Sequence, residues 1–159
     1  MTGFVHNIRL AARLSWRDKV QLARALVLIP VFAVAKRRVD YEHAMASGSM
    51  GHDATPAEEL RARELARLVD GAARCYAGQP NCLTRSLTLL HLLDGEGIVG
   101  TLRMGAALDG SILSAHAWVE CKGRPINDSK DVAQRFAPFE HHANASPRPS
   151  EPVQAPAQQ

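Results

Sequence analysis

Apolar positions recur at helical spacing in three stretches of the chain, and then the spacing changes to a strand-like alternation. The first stretch opens at Ser15-Trp16-Arg17-Asp18, where Ser15 is placed to cap a helix and Asp18, three residues on, completes a box-like start. An apolar face at Val20, Ala23, Val27 and Val31 follows. The run Leu22 to Ala35 reads as a buried helix, bent or broken near Pro30, and its pattern fades around Val39 to Tyr41. Met45 to Asp53, MASGSMGHD, is small and polar and reads as a flexible linker. A second helix starts at Thr55-Pro56-Ala57-Glu58, with Thr55 and Glu58 forming a capping box and Pro56 at the first helical position. Its stripe is Leu60, Leu65, Leu68 and Ala72, and it is expected to end near Gly78. A third helix follows Gln79-Pro80-Asn81, with Asn81 as its cap, Cys82 as its first residue, and Gly95 and Gly97 ending it.

Beyond Gly97 the alternation predicts strands. Val99 to Leu108 and Ile112 to Cys121 are joined by a turn at Asp109-Gly110, and Lys122-Gly123 leads into a short strand from Arg124 to Asp128. Helices followed by an antiparallel meander give an α+β fold. Three regions are expected: residues 1–54, helical with a linker and a candidate for partner docking; residues 55–140, the chemical unit; and residues 141–159, a Pro- and Ala-rich disordered tail.

Composition changes this picture little. Hydrophobic residues are 46% and charged residues 22% of 159, ordinary for a globular chain. With aromatics at 5%, the core must rest on Leu, Val and Ala. A net charge of +3 suits an acidic peptide but is too small and scattered for nucleic acid, and Lys36-Arg37-Arg38 reads as a solvated helix end. The Leu22–Ala35 run is shorter than the ~20 residues of a membrane span and contains Arg24 and Pro30, so no integral span is expected. Cys75, Cys82 and Cys121 are an odd set without disulfide spacing, and Met1 to Trp16 lacks a secretory apolar region. Both features predict a reducing cytoplasm. Seven histidines and three cysteines include no ligand-spaced pair, so neither a metal nor another cofactor is expected.

The candidate chemistry gathers on three residues. A thiol attacks an amide only as thiolate, and the unpaired N–H groups of a helix start favour that form. Cys82 occupies such a position, although a cysteine in a leucine-rich helix is more often inert core. In Ser114-Ala115-His116-Ala117-Trp118-Val119-Glu120, strand alternation puts His116, Trp118 and Glu120 on one face. If the following turn is centred near Lys122-Gly123, cross-strand partners sum to 244 or 245, so His116 faces Asp128 or Ser129. Asp128 could then orient the imidazole, with Asn127 and Asp131 as alternatives; it could equally be a turn-capping residue. Gln79 is a candidate oxyanion donor or a loop residue. Arg85 is a candidate for orienting a carboxylate or the substrate, or a structural residue. Trp118 is a candidate groove wall or a core side chain.

The run NCLTRSLTLLHLLDGEGI, Gly105 in the first strand, and AHAWVECKGRPINDS resemble the leader peptidases of lasso-peptide biosynthesis, cysteine peptidases of the transglutaminase-like, papain-type kind. The likeness covers roughly residues 80 to 130, with Cys-Leu-x-Arg and Ala-His-Ala-Trp-Val-Glu its most specific parts. It implies a transglutaminase/papain-like core with the cysteine at a helix N-terminus packed on a small antiparallel sheet. By position it implies Cys82 as nucleophile, His116 as general base and acid, and Asp128 as the orienting acid. It further implies removal of the leader from a ribosomally made precursor peptide, a separate leader-recognition protein, and an asparagine-synthetase-like cyclase acting afterwards. The same three residues would also serve acyl transfer to an amine, and a non-catalytic module that presents a peptide is a third reading.

Overall fold

The protein is represented by a computed structural model that describes residues 14–35 and 55–139. The Lys36-Arg37-Arg38 cluster, the fading pattern at 39–41, the linker Met45–Asp53 and the tail 141–159 lie outside the described residues. Among the described residues, three long helices come first: α1 Trp16–Ala35, α2 Pro56–Ala73 and α3 Cys82–Asp94. Four strands and one helical turn follow: β1 Thr101–Asp109, β2 Ile112–Cys121, β3 Arg124–Pro125, α4 Val132–Arg135 and β4 Ala137–Pro138. The sheet is antiparallel, in the order β3-β2-β1-β4. The fold is α+β, as the spacing predicts.

The helix starts follow their capping chemistry. Ser15 Oγ accepts from the Asp18 N–H at 3.2 Å and donates to the Asp18 carboxylate at 2.7 Å. Thr55 and Glu58 form a reciprocal capping box, and Asn81 Oδ1 accepts from the Thr84 N–H at 2.9 Å. The second helix stops at Ala73, short of Gly78, and a series of turns fills the interval.

α1 corrects the expected pattern twice. The helix runs unbroken through Pro30. Its buried face is Gln21, Ala25 and Ile29, flanked by Leu22, Leu26 and Leu28, whereas Val20, Ala23, Val27 and Val31 point outward, Val27 being 65% exposed. In a run this apolar several stripes compete, so the partner selects the face. Here a polar network selects it. Gln21 donates to Glu96 at 2.7 Å, and Arg61 of α2 binds Glu96 through two nitrogens, both at 2.8 Å, and Asp18 at 2.6 Å. These pairs join α1, α2 and the turn after α3; hydrogen bonds from Arg61 hold the Glu96 carboxyl below its ordinary range, and the hydrogen bond from Ser15, followed by that from Arg61, does the same for Asp18. Ala25 and Ile29 then enter the same core as Leu65, Val69, Leu89 and Leu92. On α2 the expected stripe holds at Leu65, Leu68 and Ala72, while Leu60 is exposed.

The strands follow the expected turns. β1 and β2 pair from Thr101↔Glu120 to Asp109↔Ile112 around Gly110-Ser111. Cys121 pairs Arg124 around Lys122-Gly123, both at positive φ (53° and 68°), the geometry that lets a two-residue turn follow the twist of the strands. The third strand is shorter than expected. The ladder ends at Pro125, and one further backbone bond joins the Ile126 N–H to the Val119 carbonyl at 3.0 Å.

Candidate functional site

Cys82 is the first residue of α3 and is half-buried, packed against the cluster of Leu87, Leu102 and Ala117. Because Arg85 N–H makes the first helical bond and Asn81 takes that of Thr84, the N–H groups of Cys82 and Leu83 are left without a helical partner. Unpaired donors beside a thiol can stabilise negative charge on an attacked carbonyl oxygen.

One turn into the helix, buried Ser86 donates to the Ala117 carbonyl at 3.2 Å. It also accepts from Asn127 Nδ2 at 3.1 Å, while Asn127 Oδ1 accepts from the Val119 N–H at 2.8 Å. This relay fastens the start of α3 and the segment after β3 to the strand residue that follows His116. Nothing in apolar periodicity marks Ser86; the available signal is a hydroxyl four residues after Cys82 on an otherwise leucine-rich face.

His116 and Asp128 are brought together, Nε2 to Oδ2 at 2.7 Å. The route differs from the expected one. The observed ladder sums to 245, which would set Ser129 opposite His116, but it ends before reaching that pair. Asn127 takes over from the backbone, and Asp128 reaches the ring from an irregular segment. Its other oxygen, Oδ1, accepts from the Ser129 N–H at 2.7 Å and from Arg135 at 3.0 Å. Burial pushes the Asp128 carboxyl up, but the hydrogen bonds from His116 and Ser129 outweigh it and hold the group below the usual carboxylate range. Asp131, an alternative orienter, instead pairs with Arg135 at 3.4 Å.

The imidazole is also held by its faces. Phe136 stacks on it with centroids 4.7 Å apart, and Trp118 lies nearly parallel at 6.2 Å. Phe136 gets there because β4 pairs with β1 at Gly105, the cross-strand partner of His116. A Cβ at Gly105 would sit 2.7 Å from the Ala137 carbonyl oxygen, so this approach requires glycine. Nothing local in the sequence marks Arg135 and Phe136, since their placement depends on the chain returning to β1. With Nε2 committed to Asp128, Nδ1 is the ring nitrogen left to exchange a proton with a reactant. Among the described residues, no hydrogen bond joins the Cys82 thiol to the ring.

The remaining candidates are placed differently. Trp118 is completely buried and donates to Glu120 at 2.9 Å; it packs beneath the histidine and lines no groove. Arg85 pairs with Asp70 and so ties α3 to α2. Gln79 is exposed in the turn before α3. Cys75 is exposed, whereas Cys121 is buried and burial pushes its thiol pKa up. A cleft of about 300 Å³ opens between Arg63, Arg67 and Asp70 of α2 and the segment Ile126–Asp128. Among the described residues, no three His, Cys, Asp or Glu side chains gather as a metal site, and no helix is long and apolar enough to cross a membrane.

Compared with known families, residues 25–141 match the one described as the transglutaminase-like superfamily. No curated protein and no solved structure matches the chain.

Proposed function

The chain belongs to the transglutaminase-like superfamily, whose members are usually cysteine-dependent enzymes, and on that premise we propose that it is a cysteine peptidase acting through Cys82, His116 and Asp128. The observation that carries this reading is the pairing of His116 with Asp128 at 2.7 Å on the strand to which Ser86 anchors the helix of Cys82. His116 Nδ1 accepts the thiol proton as sulfur bonds to the carbonyl carbon of the substrate. The N–H groups of Cys82 and Leu83 receive the developing oxyanion. As the C–N bond breaks, the imidazolium returns its proton to the departing amine and leaves a thioester. Water then attacks, giving a proton to His116, and the acid product leaves as the thiol is restored. Asp128 stabilises the imidazolium in both halves and keeps the ring in one orientation.

For the substrate, the proposal is the leader–core junction of a ribosomally made lasso-peptide precursor. It is supported by the likeness of the Asn81–Ser86 and Ala115–Glu120 motifs to leader peptidases of that pathway. In this reading a separate leader-recognition protein delivers the precursor, and an asparagine-synthetase-like cyclase uses the freed amine. The test is mass spectrometry of candidate precursors incubated with the protein and the recognition protein. A leader fragment should form with the parent chain, Cys75→Ala and Cys121→Ala, and be absent with Cys82→Ala. Cleavage by Cys82→Ala would refute the mechanism. Amine adducts in place of acid products would reassign it to acyl transfer, and binding without any turnover would make it a presenting module.

A further inference from the structure

The two tight turns that bound β2 fix the direction of every backbone group along it. Asp109↔Ile112 and Cys121↔Arg124 close two-residue loops, and such closing pairs exchange hydrogen bonds. Even-numbered residues of β2 therefore bond to β1, and odd-numbered residues turn their N–H and C=O groups to the opposite edge. The observed bonds obey this parity: Val119 carbonyl to Ile126, Val119 N–H to Asn127, and Ala117 carbonyl to Ser86 all lie on that edge. Beyond Ala117 the pattern stops. Among the described residues, the outward N–H and C=O groups of Ala115 and Leu113 and the N–H of Ala117 have no partner.

This free edge leads to the nucleophile. Leu90 and Leu93 of α3 lie against Gly100 and beside Val119, whereas Ser86 bonds Ala117 and Cys82 packs against the cluster of Leu87, Leu102 and Ala117. The N-terminus of α3 therefore points along β2 toward the hairpin tip, and among the described residues nothing pairs with the sheet edge past it. On the face packed by α3, opposite to the one that carries His116, the next cross-strand pairs past Ala117 are Ala106↔Ala115 and Leu108↔Leu113. Leu108 and Leu113 are 70% and 72% exposed. An exposed apolar strand edge invites association and is normally blunted. Here charge is absent from the tip face, and the edge runs toward the start of α3, whose first residue is Cys82.

We propose that the substrate is an extended peptide that adds to the free edge of β2 at Leu113–Ala117 as a fifth strand. Its alternate side chains are apolar and rest on Leu113, Leu108 and Ala115, and pairing carries its reactive carbonyl toward Cys82. Backbone pairing supplies affinity and the leucine platform supplies selectivity, the division of labour of strand addition. The inference rests on the assignment of Cys82 as nucleophile but makes a separate claim about recognition.

The test uses a library of acetylated random decapeptides, incubated with the Cys82→Ala full-length protein, with bound members recovered by gel filtration and sequenced by mass spectrometry. Apolar residues should be enriched at every second position. Leu113→Pro removes the outward N–H, a change that edge strands accept, together with the leucine side chain that Leu113→Glu also removes, and it should reduce recovery at least tenfold without altering the melting curve. Leu113→Glu should keep binding but shift selection away from apolar residues. Should Leu113→Pro melt early, recovered peptides resynthesised with N-methyl groups at alternate amides test the same edge on the parent protein and should bind at least tenfold more weakly. Absence of bound peptides, absence of the alternation, or full binding by Leu113→Pro or by the N-methyl peptides would overturn the proposal. So would a dimer that Leu113→Pro converts to monomer, since the edge would then belong to a second copy. Peptides that bind with the alternation but are never cleaved by the parent chain would refute the peptidase reading and leave this one standing.

Discussion

Replacing Asp128 with asparagine removes a charge while keeping the shape of the side chain and its capacity to accept from the Ser129 N–H. The carboxylate meets His116 at 2.7 Å with both side chains about four-fifths buried, so water screens the pair only partly. A hydrogen bond between charged groups in such a setting is worth about 1.5–3 kcal/mol, and direct attraction at an effective dielectric near 20 amounts to about 4 kcal/mol at 4 Å. Arg135, at 3.0 Å from the other oxygen, competes for the same charge and keeps the effect toward the lower end. A loss of about 2–4 kcal/mol in the charged transition state corresponds to a fall in kcat of roughly 30- to 900-fold. Because Asp128 contacts neither the thiol nor the proposed strand-binding edge, peptide affinity should change less than threefold. Single-turnover cleavage across peptide concentrations separates the two quantities. A kcat within threefold of the parent chain, or a loss confined to affinity, would show that Asp128 only caps its turn and that the orienting role is wrong.

Ser86→Ala strands the Ala117 carbonyl and Asn127 Nδ2 in a buried place and should cost about 1–3 kcal/mol by urea unfolding, with a further loss of activity because the start of α3 is released. Gly105→Ala must push β4 off β1 and take Phe136 from the imidazole, so it should lower both stability, by about 1–3 kcal/mol, and turnover; unchanged melting would contradict the close approach. Stability should also fall in acid. Asp18, Glu96 and Asp128 have folded pKa values below their unfolded ones, so their contribution is complete above about pH 4.5 and is lost as pH falls through the folded values. Glu96→Gln should flatten that acid limb in thermal melts from about pH 2 to pH 6, and an unaltered limb would count against the Arg61 network.

Much of the fold could be read from local chemistry, because caps and tight turns are decided by neighbours in sequence. Ser15, Thr55 and Asn81 cap the helices they were expected to cap, and Lys122-Gly123 turns where expected. What failed was decided at a distance. The buried face of α1 depends on Glu96 and Arg61, which lie far along the chain, and not on the density of valines. His116 and Asp128 meet as the strand register suggested, yet the pair is delivered by Asn127 after the ladder has ended. The stacking of Phe136 required knowing that the chain returns to β1 at Gly105, for which two residues of β4 carry no sequence signal.

The clamp formed by Asn127 has a consequence for the order in which the protein becomes competent. It needs Ser86 and Val119 already in place, and it lies 45 residues after Cys82 in a chain made from the N-terminus. During synthesis Cys82 emerges first, His116 later, and Asp128 last, behind the Asn127 side chain that fixes its segment. On the proposed mechanism a nascent chain therefore carries its nucleophile without the partner that orients the base, and the site is completed only when residues 127 to 136 have joined β2 and β1. Delayed closure of this kind would spare the growing polypeptide from its own chemistry.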